Sequence, residues 1–195
     1  AYNKNEITSL IETDQSGNSL VNVVGDMAYQ WNLIPYVGVN ASNGNLLFLD
    51  KDGNPTETPD LIADRRNTGK SSIPVYQGGF GFNSDYKGFF LNTLFSWTKD
   101  MWRIDNQLAW AYNVDFIGED NVSSDMLNAW TPTNTETSVP SLNATNLGLD
   151  DLSDRFLRDA SYVRLRNLQI GYRLPKKFLN KTFISDMSFT LQGEN

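Results

Sequence analysis

The chain contains no cysteine and no histidine among its 195 residues. The first absence excludes a disulfide framework and thiolate metal sites, while saying little about compartment, because many exported proteins avoid the residue. The second removes the commonest general base, the usual zinc ligand and every Ser-His-Asp arrangement. No catalytic residue, metal site, cofactor or enzymatic activity is therefore expected. Basic residues are also outnumbered: sixteen Lys and Arg, scattered along the chain, face 23 Asp and Glu, for a net charge of −7. Phosphate binding needs a basic patch, so nucleic acid is not an expected partner. No apolar run approaches the ~18 residues of a membrane helix, and mean hydropathy is negative. That leaves the membrane open, because a transmembrane β-strand shows only about ten residues of alternating apolarity. No stretch of about ten residues keeps a helical period. What is present is glycine, asparagine, serine, threonine and aspartate in quantity, with 12% aromatics, a composition that predicts an all-β chain.

The clearest alternation lies near the end. From Tyr162 to Leu174 the residues Leu168, Ile170, Tyr172 and Leu174 share one face, and Asn167, Gln169, Gly171 and Arg173 the other, the period-2 pattern of a half-buried antiparallel strand. Pro175, which has no N–H to donate, ends the ladder, and Lys176, Lys177, Asn180 and Lys181 make a polar connection. The chain then returns with Met187, Phe189 and Leu191 alternating against Ser188, Thr190 and Gln192. One feature conflicts with a straight strand: Arg164 and Arg166 have the parity of Leu168 and Ile170, which calls for a bulge between the two halves or a rim outside the lipid band.

Upstream, Phe80, Phe82, Ser84 and Tyr86 alternate with Gly81, Asn83 and Asp85; Lys87-Gly88 makes a tight turn. Leu91, Phe95 and Trp97 then oppose Asn92 and Ser96, with Phe90 and Leu94 blurring the pattern. Leu108, Trp110 and Tyr112 continue the alternation, so Ile104 to Asn113 is expected to prolong this strand. Ala1 to Leu10 reads as the end of an earlier strand. Residues 11–75 and 114–160 are long excursions. The first carries turn signals at Ser16-Gly17-Asn18, Ser42-Asn43-Gly44 and Asp52-Gly53-Asn54, with small strands expected at Leu20 to Val24, Leu33 to Val39 and Leu46 to Leu49. In the second, Ser123 to Trp130 is expected to form a helical turn or two, capped by Ser123 or Ser124. Short connections at Lys87-Gly88 and Pro175 to Asp186 thus alternate with two long ones, the asymmetry of an outer-membrane barrel with short periplasmic turns and long extracellular loops.

Ser153-Asp154-Arg155-Phe156, Asp159, Ser161-Tyr162, Arg164, Arg166-Asn167, Gly171-Tyr172 and Pro175, followed by the strand ending in Gly193-Glu194-Asn195, resemble the C-terminal barrel segment of SusC/RagA-type TonB-dependent outer-membrane transporters. Trp130-Thr131-Pro132-Thr133-Asn134 with Val139-Pro140, and Gly79-Phe80-Gly81-Phe82-Asn83 with Tyr86-Lys87-Gly88-Phe89, are similar to further segments of that family. The resemblance implies that residues 1–195 form a C-terminal part of a large transmembrane β-barrel in the Gram-negative outer membrane. It implies about four antiparallel strands and the tip of a fifth, with the plug and the TonB box outside this chain and the remaining strands after Asn195. By the same resemblance, the whole transporter imports oligosaccharides or peptides with a SusD-like surface lipoprotein, TonB acting through the absent N-terminal region. Four strands cannot close a barrel, and open edges are not tolerated in lipid, so the segment is not expected to fold alone. The alternative reading is a secreted or surface all-β carbohydrate-binding module, whose alternating apolar faces would pack on a second sheet.

Several residue groups invite site readings. Asp50-Lys51-Asp52-Gly53-Asn54 places oxygen side chains at alternate positions, as a calcium loop does, but its glycine comes too early for an EF-hand and Pro55 takes that place; a turn is the plainer reading. Asp125 with Glu136, and Asp150 with Asp151 and Asp154, read as solvated loop charges rather than paired glycosidase carboxylates, since no spacing sets them about 5 to 10 Å apart. Arg155, Arg158, Arg164 and Arg166 could meet an anionic ligand or simply build the wall. Trp102, Trp110 and Trp130 could stack on sugar rings, but loop packing is favoured, and Trp97 fits an aromatic girdle. The residues that contact substrate are not identified by the sequence.

Overall fold

The computed structural model describes residues 1–11, 15, 17–149 and 152–195. In chain order the strands and helices are β1 (Leu20–Val21), β2 (Gln30–Leu33), β3 (Tyr36–Val39), β4 (Leu46–Leu49), β5 (Pro55–Thr56), β6 (Arg66–Ser71), β7 (Tyr76–Tyr86), β8 (Phe89–Lys99), β9 (Trp102–Ile104), α1 (Asn106–Ala111), β10 (Leu157–Asp159), β11 (Tyr162–Arg173), α2 (Lys176–Leu179) and β12 (Ser188–Glu194). They divide into two compact units: Ala1–Asn3, Pro74–Asp100 and Ser161–Asn195 form one, Lys4–Ile73 and Met101–Ala160 the other.

The first unit is a single antiparallel sheet in the order β12-β11-β8-β7. The β7–β8 hairpin closes through Lys87 and Gly88, both at positive φ (48° and 93°). That is the combination a two-residue type I′ turn requires. Glycine is needed at the second position for a further reason: a Cβ there would lie 2.8 Å from the Arg173 carbonyl oxygen. On the far edge of β7, Tyr2 pairs with Tyr76, and the Asn3 N–H donates to the Val75 carbonyl at 2.8 Å. Residues 1–3 thus run antiparallel beside the start of β7, with the Gln77 N–H also donating to the Ala1 carbonyl at 3.0 Å. The connection between β11 and β12 is closed at its base by the Leu174 N–H on the Met187 carbonyl, 2.9 Å. Both short turns leave from the end of the sheet marked by Tyr86, Phe89 and Arg173. Every chain crossing to the second unit leaves from the opposite end, marked by Tyr76, Lys99 and Tyr162.

The pairing of β11 with β8 steps from Leu165↔Phe95 to Asn167↔Leu94. Arg166 is the extra residue of a β-bulge, placed where the parity conflict in the sequence requires one.

The second unit has its own core, formed by Ile34, Leu46 and Phe48, all fully buried, with Tyr36, Val39, Leu147, Leu149 and Leu152 packed against it. Burying each of these three side chains contributes about 1.5–3 kcal/mol. The strands of this unit form two three-stranded sheets, β1-β2-β6 and β3-β4-β5, and the pair β9-β10, with Leu46 and Phe48 of the core on β4. Ile34 exchanges backbone hydrogen bonds with the 152–154 segment: its N–H donates to the Leu152 carbonyl at 2.8 Å, and its carbonyl accepts from Asp154. Asn146 imitates a strand neighbour, accepting from the Leu46 N–H at 3.0 Å and donating to the Leu46 carbonyl at 2.8 Å. The two excursions therefore build one core together.

One expectation fails. Ile104 to Asn113 does not prolong β8. The chain turns at Asp100, at positive φ, and after the short β9 it enters α1, whose first turn is capped by the Asp105 carboxylate accepting from the Leu108 N–H at 2.9 Å. The cap satisfies a free helix donor that a strand would have paired laterally. Farther on, Ser123 caps a 3-10 turn over Ser124–Asn128.

Candidate functional site

Cross-strand register sorts the sheet into two chemically different faces. On one face Tyr86, Phe89, Tyr172 and Phe189 stand directly opposite one another, a row of four aromatic side chains across all four strands. The next rows toward the other end hold Leu91, Ile170 and Leu191, then Phe82 with Leu168, then Phe80, Phe95 and Leu165, and finally Trp97 with Val163. Without the bulge, Leu165 and Val163 would point the other way. Much of this face is open, with Val163 70% exposed, Phe82 58% and Leu191 76%, while Leu91, Phe95, Trp97, Leu168 and Tyr172 are partly covered by their neighbours. From Phe89 to Trp97 a strand rises about 26 Å at ~3.3 Å per residue; tilted by ~40° it spans about 20 Å, close to the apolar band of a barrel wall. Aromatic residues mark both limits. Trp97 at the upper one lies flat over Gly78, where a Cβ would come within 3.1 Å of the indole nitrogen.

The opposite face is polar. Asn83, Asn92, Gln169 and Gln192 form a row of amides across the same four strands, and Asn92 donates to the Gln169 carbonyl oxygen at 2.7 Å. The two apolar exceptions noted in the sequence are also here. Phe90 is buried against Gly171, where an added Cβ would collide with its ring, and the Arg173 guanidinium sits 4.5 Å from the Phe90 ring centre. Leu94 remains half exposed. Arg164 is on this face, stacked 4.7 Å over Tyr162. Arg166, displaced by the bulge, donates to the Asn195 carbonyl at 3.0 Å. The two arginines therefore do not form a pair.

In the second unit the candidate residues have structural work. The Asp50 carboxylate accepts from the N–H groups of Asn54 and Asp52 at 2.8 and 2.9 Å, bonds that lower its pKa, the Asn54 one foremost, so the 50–54 segment is a turn closed on itself. Among the described residues no group of three or more acidic, histidine or cysteine side chains could hold a metal. Asp125 accepts from the Tyr112 hydroxyl at 2.6 Å. Burial, and then this bond, raise the Tyr112 pKa. Asp154 accepts from the Tyr36 N–H at 2.8 Å. Asp150 and Asp151 lie outside the described residues. Arg155 is buried, 4.7 Å over the Phe156 ring, and Arg158 donates to the Arg155 carbonyl. Trp130 packs on Gly44 and donates to the Ala41 carbonyl at 3.0 Å. Trp102 carries the Lys70 ammonium 4.0 Å over its ring, and Trp110 leans on Phe116.

Sequence reasoning missed the tie that organises the first excursion. Asn40, Asn43 and Asn45 all donate their side-chain amides to the Glu57 carboxylate, at 2.6, 2.8 and 2.6 Å. The carbonyl oxygens of the same amides accept backbone N–H groups of Ser42, Asn45 and Thr145. That fixes which way each amide points and leaves its nitrogen for the carboxylate. The cluster is thus a neutral cage for an anion, and it holds Glu57 below its ordinary pKa.

An open antiparallel sheet with an exposed apolar band between aromatic limits, an amide-lined reverse face and short turns at one end is a section of a transmembrane β-barrel wall. No family model matches the chain. It is 36% identical over 154 residues to TonB-dependent receptor P3 of Formosa agariphila, covering 78% of this chain and 14% of that protein. Identity to TonB-dependent receptor P39 of the same organism is 28% over 158 residues, with the same coverage. Among solved structures, a chain of the RagAB peptide importer in the "open-open" state superimposes with a TM-score of 0.82 at 26% identity, over 100% of this chain and 22% of that one. The "closed-closed" state gives 0.78 at 27%. The chain thus spans about a seventh of the length of the curated relatives it matches. It belongs to the SusC/RagA type of TonB-dependent outer-membrane transporters.

Proposed function

We propose that the chain supplies wall strands and an extracellular loop unit to an importer in the outer membrane of a Gram-negative bacterium. The importer takes up large nutrients such as oligosaccharides or peptides, with a SusD-like lipoprotein over its outer mouth. TonB acts through an N-terminal region outside this chain, and residues 1–195 belong to the C-terminal part of the barrel. The observation that carries this reading is the one-sided sheet. Its apolar residues are exposed in a band about 20 Å high, near that of a barrel wall, while its amides line the other side, as a wall between lipid and a polar lumen requires. The peptide importer among its structural relatives supports peptides as one substrate class. A carbohydrate-binding sandwich would have buried Ile170, Phe189 and Leu191 against a second sheet; they are 46%, 58% and 76% exposed.

The test is the denatured mass of the native polypeptide that carries these peptides, taken from cell membranes. A chain several times heavier than 22.0 kDa, released only by detergent, is expected. A soluble chain of about that mass would overturn the reading.

A further inference from the structure

The connection from Pro175 to Asp186 holds side chains that a water-washed turn has no use for. Phe183 is fully exposed, Phe178 is 63% exposed, and Ile184 and Met187 each exceed a third. Between them stand Lys176, Lys177 and Lys181, all exposed. Lys87 adds a fourth cation from the neighbouring turn, its ammonium 5.1 Å from the Tyr86 ring centre, and Lys177 lies at the same distance from Phe178. Of the carboxylates at this end, Asp85 is paired with Arg173, and only Asp186 stands against the lysines. Immediately beyond is the aromatic row of the apolar face, with a shallow 240 Å³ notch over Ser84 between Phe82, Tyr86, Phe89 and Ile170.

Neither water nor a protein partner suits this combination. Water would favour the lysines and penalise two exposed phenylalanines. An apolar protein cover would bury the phenylalanines and strand the ammonium groups. The boundary between headgroups and acyl chains satisfies both, because aromatic rings enter the apolar edge while long lysine stems carry their charge out to phosphates.

We propose that the turn end of this sheet is a docking surface for anionic phospholipid of the adjacent leaflet. Lys176, Lys177, Lys181 and Lys87 take the phosphates, Phe178 and Phe183 lie at the acyl boundary, and the notch over Ser84 receives the upper part of one acyl chain. The proposal rests on the reading of the sheet as membrane-spanning.

It is tested on the full-length transporter in nanodiscs of phosphatidylcholine with and without phosphatidylglycerol, scoring retained lipid by native mass spectrometry. The intact protein is expected to retain phosphatidylglycerol over phosphatidylcholine. The K176Q/K177Q/K181Q variant should lose that preference by on the order of a hundredfold, Lys51→Gln should keep it, and free inorganic phosphate should not compete. Phe183→Trp fluorescence should be quenched by a spin label at the headgroup. Equal retention by intact protein and triple variant, or a Phe183→Trp reporter shielded from both headgroup and aqueous quenchers, would overturn the proposal. A photoactivatable acyl-chain label separates the two levels. Labelling of Val163 and Leu191 without headgroup preference removes the docking surface alone, and no labelling removes the membrane reading beneath it.

Discussion

Phe48 and Phe82 are the same side chain in two kinds of apolar surroundings. Phe48 is fully buried beside Ile34 and Leu46 in the loop unit, whereas Phe82 stands 58% exposed at mid-height on the sheet. Charge divides along the same line. The unit containing Phe48 carries nineteen acidic and eight basic residues, net −11; the sheet unit carries four and eight, net +4, which together make −7. From Ile104 to Asp154 there is no lysine or arginine at all. The loop unit is built as a water-soluble domain is, with a sequestered core under a surface of one dominant sign. The sheet is inverted: its apolar residues face outward, and its cations stay at the two ends or on the amide face. Accessible area therefore means different things in the two units, since it is measured against water and one of them is not solvated by water.

The largest expected effect is Phe48→Ala, which should cost the loop unit about 3–5 kcal/mol. Amide exchange across β2 to β4 should accelerate sharply, while the heat-modifiable mobility of the folded barrel on gels stays unchanged; joint loss of both would show that the two units do not fold independently. Next is Phe82→Lys, with about 2–4 kcal/mol expected for a cation near the bilayer midplane. Leu127→Lys in the loop unit, 90% exposed, should stay within about 0.5 kcal/mol. Unfolding titrations in lipid vesicles compare the two directly, and equal costs would erase the distinction between the solvents.

The smallest effect is a pH dependence confined to the loop unit. The Glu57 carboxylate is held below its ordinary pKa chiefly by Asn45, then by Asn43 and Asn40. A depressed carboxylate contributes its tie in full above the unfolded value and loses it as pH falls through the folded one. The protection factors of the amides at residues 40–45, which take out the intrinsic slowing of exchange at low pH, should fall several-fold below the ordinary glutamate range, while those of β7 and β8 stay unchanged. Glu57→Gln should abolish that pH response.

What could be read from the sequence was what depends on nearest neighbours along a strand. Alternation located β7, β8, β11 and β12, Lys87-Gly88 announced its turn, and the parity of Arg164 against Leu168 called for the bulge. Position of the long connections at one end followed from counting residues. Elements held by distant partners were silent. β6 reads Arg66-Asn67-Thr68-Gly69-Lys70-Ser71 and has no apolar alternation; it is a strand because β2 pairs with it. Asn40, Asn43 and Asn45 look like turn residues, and nothing in their spacing points to Glu57. Leu108, Trp110 and Tyr112 alternate as a strand would, yet the Asp105 cap and the turn at Asp100 send them into a helix. The same limit applies to the site: the apolar face was legible, but the row of four amides behind it emerges only once register is known.

The bulge at Arg166 gives the wall a reading frame. Side chains on a strand alternate with a period of two, so a length change by one residue exchanges inside and outside for everything beyond it. Arg166 is one such addition, already absorbed, and Val163 and Leu165 are on the outer face because of it. Removing the Arg166 codon would take the bulge away with its residue and leave Val163 and Leu165 facing out, whereas deleting Leu165 with the bulge kept would turn Val163 toward the lumen and bring Arg164 out into the lipid band. Insertions and deletions in such a strand are thus permitted in even numbers, or in odd numbers only when paired with the loss or gain of a bulge, a rule of descent that the loop unit, with its own core and long connections, does not have to obey.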